Sequence, residues 1–436
     1  MGFGLISCAK KTTVSPKSNA DTLISFVIDS GQVGQTQISK TADSAKILIY
    51  VEQGVNLSAV KPDIKIPSTA KVVPASGQSI DFTKGSQVYT ITAQSGISQK
   101  WYVQVMVYPE PDLTKYQSNP HLDSLFNQYF TRYSGWNSGD GAQSILLPDG
   151  RSVWLFGDSF VGPVNPNRTR ANGNFLINNA AMIQNDNVFT SYYGGTAAAP
   201  KALFVPADPT HFYWTRHGFV DNNKLYVTLM ELANITTNGT TSTVHEADKV
   251  AVLSLPDMKF IRLIDIPYKN AISYGDRSFI DGNYHYIFGM WSDGWSTKLY
   301  MARAKINHAE DPWEFYSNND QWVADMSQAI PITIPGHVTE PTVINRNGRY
   351  YLFTQQNFYS KNILMYRADK PEGPYSEEKL IYTTPDSVQT YLALAHPQFI
   401  ENNTLLIGYS LGGDIFASFK NVDIERPHFI RVNLPE

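Results

Sequence analysis

Cysteine is almost absent from the chain, with one residue, Cys8, among 436. A single cysteine cannot form an intrachain disulfide, so the fold must be held by packing alone. Charged residues are also scarce, at 17%, and the 35 Lys and Arg form no basic cluster. Such a surface cannot neutralise a phosphate backbone, which excludes nucleic acid as an expected partner. No run approaches the roughly 20 apolar residues that a membrane-spanning helix needs.

Several catalytic motifs are missing as well. The sequence contains no P-loop, no dinucleotide-binding glycine fingerprint and no Gly-x-Ser-x-Gly elbow. It has no His-Glu-x-x-His zinc motif, and His211 and His217 lack an obvious third ligand. We therefore predict neither a cofactor nor a metal site.

Aromatic residues, by contrast, are abundant at 13% of the chain. Aromatic side chains favour strands and can provide flat faces for sugar rings, so this composition indicates an all-β protein. The length of 436 residues is sufficient for two domains, one of them with a large core.

The N-terminal segment resembles a bacterial lipoprotein signal. Leu5-Ile-Ser-Cys8 matches the lipobox pattern, and residues 9 to 19 are polar and suit a tether. Only seven residues precede Cys8, so either translation starts further upstream or the match is accidental. We predict that residues 1–20 are a signal remnant and tether, lipidated on Cys8, that anchors the protein in the cell envelope at the periplasm or the cell surface.

Residues 21–108 contain short alternating runs separated by turn residues, which predicts a small antiparallel β-sandwich. The stretch Val60-Lys-Pro-Asp-Ile-Lys-Ile-Pro, followed by Trp101-Tyr-Val-Gln-Val, resembles the Ig-like modules of Bacteroidetes surface lipoproteins. That resemblance implies a spacer or docking role. Two prolines after Tyr108 mark the boundary of a second domain, predicted at 115–436.

A two-strand unit recurs five times in the second domain. The units centre on turns at Gly150, Asn223, Gly282, Gly348 and Asn403, which lie 55 to 73 residues apart. This spacing is the size of one four-stranded propeller blade and predicts a five-bladed β-propeller. The two ends of the domain together supply one more interval of this size, so they are expected to share the last blade and close the ring.

The five inner strands would bring polar residues to one axis. These residues are Asp140, His217, Asp276, Glu340 and His396, with Arg216 and Arg277 beside two of them. Neighbouring carboxylates separate one another's pKa values, so one can be a proton donor while another is a base or nucleophile. A central channel lined by such residues suits acid–base catalysis on a neutral polyhydroxy substrate. The aromatic residues expected to bind sugar are Trp136, Trp214, Trp291 and Tyr391, for which packing between blades is the alternative role.

The first hairpin carries the central pair. Asp140 and Asp158 lie ten residues before and eight residues after Gly150, so they should meet at one sheet edge. We predict Asp140 as base or nucleophile and Glu340 as general acid. Asp158 would be an alternative acid or would orient Asp140, and Asp276 would bind hydroxyl groups. The alternative for both hairpin aspartates is that they cap turns.

Two motifs resemble known propeller families. Gly-Asp140-Gly and Phe156-Gly-Asp158-Ser resemble the opening blade of a five-bladed group classed as domain of unknown function 4185, some members of which are endo-acting arabinofuranosidases. Thr339-Glu340-Pro341 is similar to the motif that supplies the general acid in propeller glycosidases acting on arabinan, xylan and fructan. The resemblance implies a glycoside hydrolase acting on a polysaccharide or oligosaccharide, with arabinofuranose-containing glycans as one candidate and the sugar left open.

We therefore expect a monomeric glycoside hydrolase with a carbohydrate substrate. Two alternatives stay open: a surface lipoprotein that binds carbohydrate without turnover, and a glycoside phosphorylase. The phosphorylase would use Arg216 and Arg277 to bind phosphate.

Overall fold

The computed structural model describes residues 18–28, 31–40, 45–51, 54–107, 121–237, 240–293, 296–385, 390–412 and 415–434. Cys8 lies outside these residues. The chain divides into two compact units, 1–108 and 109–436. In the described parts no helix is long and apolar enough to cross a membrane.

The first unit consists of seven strands in two sheets. The strands are β1 (Ser25–Ile28), β2 (Gln32–Lys40), β3 (Ala45–Val51), β4 (Pro62–Lys65), β5 (Lys71–Val73), β6 (Gln87–Thr92) and β7 (Ser98–Val107). β1 pairs with β4, and the other sheet has the order β2-β3-β7-β6-β5. Phe26 of β1, Ile64 of β4 and Ile47 of β3 share one core. The sandwich was predicted to be antiparallel, but β3 and β7 pair in parallel. Alternating burial, as along β3, is compatible with either direction, so the sequence pattern cannot distinguish them.

The second unit is almost entirely β-structure. Its strands and helices, in chain order, are β8 (His121–Leu122), α1 (Ser124–Tyr129), β9 (Trp136–Leu146), β10 (Ser152–Val161), β11 (Phe175–Ile177), β12 (Ala180–Asn185), β13 (Val188–Tyr192), β14 (Gly194–Thr196), β15 (Ala199–Lys201), β16 (His211–Asp221), β17 (Lys224–Thr237), β18 (Thr240–Ser254), β19 (Phe260–Ile266), β20 (Ser273–Asp281), β21 (Tyr284–Ser292), β22 (Thr297–Lys305), β23 (Glu314–Ser317), β24 (Gln321–Val323), β25 (Val338–Arg346), β26 (Arg349–Gln356), β27 (Asn362–Ala368), β28 (Ser376–Thr383), β29 (Thr390–Glu401), β30 (Thr404–Leu411), α2 (Ile415–Ser418) and β31 (His428–Asn433).

These strands form five larger antiparallel sheets and one short ribbon, β14–β15. Sheet I contains β9–β13, sheet II β16–β19, sheet III β20–β24, sheet IV β25–β28, and sheet V β29–β31 with β8. Each of the five two-strand units predicted from the sequence forms the first hairpin of one sheet. Apolar cores lie between successive sheets, as where Leu155 of sheet I and Val227 of sheet II share one cluster.

The first strands of the five sheets contact one another in a cycle. β9 contacts β16, β16 contacts β20, β20 contacts β25, β25 contacts β29, and β29 contacts β9. Sheet V takes its strands from both ends of the unit, because β8 pairs with β31. Asp123 strengthens this junction by capping α1 through the Phe126 amide and by accepting from Arg431 Nε at 2.7 Å. The first and last described strands of the second unit therefore meet in one sheet, as the repeat spacing predicts.

Candidate active site

A cavity of about 520 Å³ is lined by residues from all five first hairpins and their neighbours. This volume suits a small-molecule or oligosaccharide site. Its ionisable lining residues are Asp140, Asp158, Arg216, His245, Asp276, Glu340 and the phenols Tyr268, Tyr359 and Tyr391. The predicted catalytic residues Asp140, Asp158 and Glu340 thus share one cavity.

A bulge interrupts the pairing of every first strand near the cavity. Register shifts occur around Gly141 to Gln143 in β9 and between Thr215/Gly218, Tyr274/Ser278, Thr339/Thr342 and Tyr391/Leu394 in the other four. In four of the strands the irregular segment contains positive φ: 93° at Ala142, 109° at Gly275, 50° at Glu340 and 54° at Leu392. Because a bulge redirects side chains out of the regular alternation, it can point two successive residues toward the cavity or its walls.

Asp140 and Asp158 are close in register, since Gly141 pairs with Phe156 and Gly139 with Ser159. Burial raises the pKa of Asp140 to about 6; a hydrogen bond from the Tyr391 hydroxyl opposes this shift, and the charge of Asp158 adds to it. The hairpin prediction for this pair is confirmed.

Asp158 is held by two donors. Its Oδ1 accepts from Trp214 Nε1 at 2.9 Å and from Asn178 Nδ2 at 3.2 Å. Burial raises the pKa of Asp158 above its ordinary value, and these two hydrogen bonds oppose the shift. Trp214 and Tyr391 therefore each hold one aspartate while lining the cavity.

Glu340 has the strongest tendency to be protonated among the catalytic candidates. Burial raises its pKa to about 8, the Asp276 charge adds to the shift, and Arg216 and Arg277 oppose it. Its Oε2 is shielded from solvent and has no hydrogen-bond partner among the described residues. A carboxylic acid in this state can donate a proton at neutral pH.

Arg216 is already paired within the protein. Its Nη2 lies 2.7 Å from Asp276 Oδ1, and its Nη1 donates to Ser273 Oγ at 2.7 Å. Burial raises the pKa of Asp276 to about 6, against the charge of Arg216. Ser273 donates to Asp248, which also contacts His245 Nε2 at 2.8 Å. These bonds hold Arg216 at the cavity wall as part of an ion pair, so it is not a free anion-binding cation.

Three residues predicted to bind substrate lie behind the cavity surface. Arg277 donates to Gln143 Oε1 at 2.8 Å and to the Ala395 carbonyl oxygen. His217 accepts from the Ser278 amide at 3.1 Å, and His396 Nδ1 lies 2.6 Å from Ser144 Oγ. Burial, with the charge of Arg277, lowers the pKa of both histidines well below the ordinary value, so both are neutral. Arg277, His217 and His396 do not line the cavity. They lie behind the cavity-lining residues and support them.

The four predicted sugar-binding aromatics divide into two pairs. Trp214 and Tyr391 line the cavity. Trp136 is fully buried; its ring centroid lies 4.2 Å from that of Phe156, with the rings tilted by 30°, and its Nε1 donates to Ser159 Oγ at 3.2 Å. Trp291 packs against the core between sheets II and III. Neither Trp136 nor Trp291 lines the cavity. Both pack between sheets, which is the alternative role considered for them.

Sequence reasoning missed several lining residues, among them His245, Tyr268, Phe358 and Tyr359. His245 lies on β18, the third strand of sheet II, outside the repeated two-strand units. Phe358-Tyr359 begins two residues after the end of the fourth unit at Gln356, so its aromatic pair could have been found by reading beyond each hairpin. Among the described residues, no group of three or more His, Cys, Asp or Glu side chains is arranged to hold a metal ion.

Comparisons with known proteins give two family matches. Residues 123–434 match the family described as Domain of unknown function (DUF5005). Residues 23–105 match the family described as SGBP, N-terminal. No curated protein matches the chain.

Solved structures with a similar fold include a protein of Bacteroides ovatus, described as a candidate hydrolase. It is 22% identical, covers 74% of this chain and 92% of its own, and has a TM-score of 0.63. The GH43 protein BlXynB of Bacillus licheniformis is 15% identical over 64% of this chain and 50% of its own, with a TM-score of 0.40. An exo-beta-1,3-galactanase of Clostridium thermocellum is 12% identical over 70% and 62%, also with a TM-score of 0.40. The first likeness shows a shared fold, and the two weaker ones carry no further inference.

Proposed function

Because the chain belongs to the DUF5005 family, whose description states no activity, we propose its function from the chemistry of the cavity. We propose that it is a glycoside hydrolase acting on a neutral polysaccharide or oligosaccharide. The observation that carries the proposal is that one cavity contains Asp140, Asp158 and Glu340, with the pKa of Glu340 raised to about 8 and that of Asp140 to about 6. At pH 7 these values leave Glu340 protonated and Asp140 ionised.

In this proposal Glu340 donates its proton to the glycosidic oxygen as the bond to the sugar breaks. Asp140 either removes a proton from an attacking water or attacks the anomeric carbon itself. Asp158 orients Asp140 and can serve as an alternative acid, while Asp276 with Arg216 binds hydroxyl groups. Carboxyl groups about 5 Å apart would retain the anomeric configuration, and those about 6.5 to 9.5 Å apart would invert it.

The cyclic contacts of the first strands support a five-bladed β-propeller for residues 115–436. We further propose that residues 21–108 are an Ig-like module and that lipidation of Cys8 anchors a monomeric protein in the cell envelope. The SGBP match of residues 23–105 favours a carbohydrate-related envelope protein. Arabinofuranose-containing glycans are the first substrates to test, because the Gly-Asp158-Ser motif resembles one in a group that includes endo-acting arabinofuranosidases.

Carbohydrate binding without turnover is the second candidate function, favoured by the same SGBP match and by the aromatic cavity lining. The phosphorylase alternative is less favourable, because Arg216 is paired with Asp276 and Arg277 is not at the cavity surface.

The test is to incubate the protein with arabinans, galactans, xylans and host glycans and to analyse the released oligosaccharides. Asp140→Asn, Asp158→Asn and Glu340→Gln should each lower turnover at least about 10²-fold while binding is retained. Asp149→Asn is the matched control, because Asp149 lies at the opposite, exposed turn of the same hairpin and bonds Arg151. Products that require phosphate would indicate phosphorolysis, and binding without products would leave the binding role.

A further inference from the structure

The hairpin β17–β18 extends beyond the other strands of sheet II. β16 begins at His211, which pairs with Ala233, and β19 ends at Ile266, which pairs with Asp248. Residues 234–237 of β17 and 240–243 of β18 therefore pair only with each other in the described part of this sheet. Residues 234–237 and 240–244 are exposed, so this end of the hairpin projects into solvent.

One face of the projecting hairpin is continuous with the cavity wall. Met230 of β17 and His245 of β18 both line the cavity. A bulge shifts the register between Glu231 and Leu232, so that His245 pairs with Leu232. Side chains alternate along β17, and beyond the bulge directly paired residues share a face, so the face of Met230, Leu232 and His245 continues outward through two cross-strand pairs. These pairs, Asn234 with Thr243 and Thr236 with Thr241, form what we call the cavity-side face. The reverse face carries Ile235, Thr237, Thr240 and Ser242.

The cavity-side face is polar but uncharged. Thr243 Oγ1 donates to Asn234 Oδ1 at 2.9 Å, and the hydroxyls of Thr236 and Thr241 lie 2.8 Å apart. A hydroxyl offers one donor and two acceptor positions, so these side chains keep free hydrogen-bonding capacity after pairing with each other. They are also held in fixed cross-strand positions, which reduces the entropy lost when a ligand binds.

We propose that the cavity-side face is a binding subsite for further sugar units of a neutral polysaccharide whose cleaved bond lies in the cavity. The proposal rests on the proposed glycoside hydrolase function and adds a substrate class, a chain long enough to leave the cavity. From residue 234 to 237 a strand extends about 10 Å, which is sufficient for a short oligosaccharide segment. The absence of charged residues in the described parts of 234–244 favours a neutral chain over a uronic acid polymer.

Two triple variants test the proposal. The first, Thr236→Ala with Thr241→Ala and Thr243→Ala, removes three hydroxyls from the cavity-side face. The matched control, Thr237→Ala with Thr240→Ala and Ser242→Ala, removes three hydroxyls from the reverse face of the same hairpin. Each is compared with the unmodified protein on a polysaccharide substrate and on the shortest oligosaccharide that is cleaved.

For the cavity-side triple we expect kcat/KM on the polysaccharide, relative to that on the short substrate, to fall at least about fivefold, the effect of losing one ordinary hydrogen bond. For the reverse-face triple this ratio should stay within about twofold. Equal changes in the two triples, or no change in the ratio, would overturn the proposal. If the cavity-side triple is unstable, Thr236→Val with Thr241→Val removes two hydroxyls while keeping the β-branched shape.

If the proposed hydrolase function is wrong, the result differs from failure of the subsite proposal alone. If no glycan is cleaved, retardation of the protein in gels containing each polysaccharide measures binding directly. Weaker retardation of the cavity-side triple alone would support the subsite without catalysis, and equal retardation of all three proteins would refute it. If both triples bind glycan as the unmodified protein does, and substitution of the exposed Ile235 weakens a contact with another protein, the hairpin is a protein-docking edge and not a sugar subsite.

Discussion

Glu340 combines three features that each cost stability. It has positive φ, its pKa is strongly raised by burial, and its Oε2 has no partner among the described residues. A non-glycine residue in this backbone region costs on the order of 1 kcal/mol, and a shielded carboxyl group without a partner costs more. Such a combination is typical of functional sites, where strain and desolvation are kept because they prepare a group for reaction.

The first prediction concerns stability. Glu340→Gln should stabilise the fold, and more so at pH 9 than at pH 5. The folded-state pKa is above the unfolded value, so the wild type loses stability as pH rises from about 4.5 through about 8, whereas Gln does not titrate. Denaturant unfolding at both pH values measures the difference, which should be on the order of 4 kcal/mol larger at pH 9, because about three pH units separate pH 5 from the folded-state pKa.

The control for this prediction is Glu377→Gln. Glu377 also has positive φ, at 56°, but its side chain is 57% exposed and pairs with Arg367. Its substitution should show no such pH-dependent gain. A similar pH-dependent gain in both variants would mean that burial of the Glu340 carboxyl group does not cause the effect.

The second prediction concerns the pH dependence of activity. In the proposed mechanism turnover requires Asp140 ionised and Glu340 protonated, so kcat/KM should be bell-shaped between about pH 6 and about pH 8. Tyr391→Phe removes the donor that lowers the pKa of Asp140, so the acidic limb should move to higher pH while the alkaline limb stays.

Tyr359→Phe is the comparison for Tyr391→Phe. The Tyr359 ring lies 5.7 Å from that of Tyr391, and this change keeps the Tyr391–Asp140 bond. The acidic limb of the pH profile of Tyr359→Phe should match that of the wild type. An unmoved acidic limb in Tyr391→Phe would show that Asp140 does not control it.

At the level of single elements, the bulges explain why the predicted residues reach one cavity. Asp276 and Arg277 both lie in the irregular segment of β20 between Tyr274 and Ser278. Asp276 lines the cavity there, whereas Arg277 lies behind it and donates to the cavity-lining Gln143. The sequence shows little of this, because only Gly275 indicates a backbone irregularity.

The third prediction tests this bulge. Gly275 has φ 109°, and a Cβ there would approach Thr228 Cβ to 2.5 Å. Gly275→Ala should therefore lower the free energy of unfolding by about 2–4 kcal/mol through overpacking and strain. Gly282→Ala, at the open turn of the same hairpin with φ 55° and no atom within 4 Å, should cost only about 1 kcal/mol. Equal losses in urea unfolding would contradict a special role for the bulge.

For the whole molecule, the sequence predicts what depends on local periodicity. Turn residues such as Gly282 and Asn403 correctly indicate five hairpins, and the hairpin register correctly brings Asp140 and Asp158 together. Periodicity does not indicate which side of a strand faces a neighbouring sheet, so Trp136 was expected in the cavity and lies in the core. It also cannot reveal His245, whose position depends on how far β18 extends past β19.

The fourth prediction concerns autonomy of the second unit. Residues 115–436 contain all five larger sheets of that unit, so this segment should fold alone with a cooperative transition at the same midpoint as the corresponding transition of the full chain. Calorimetry and near-UV circular dichroism measure this. An insoluble or molten segment beside a folded full chain would place the boundary elsewhere.

The pairing of β8 with β31 also has a consequence for biosynthesis. Asp123 and Arg431 are 308 positions apart, yet they contact in the sheet that joins the two ends. A chain emerging N-terminus first can complete sheets I to IV, but sheet V must wait until β31 has left the ribosome. Until β29 emerges, the parts of β9 and β25 that contact it have no neighbour from sheet V. The nascent chain must therefore keep four sheets and the unpaired β8 soluble until β31 is made, and this late step joins segments of very large sequence separation.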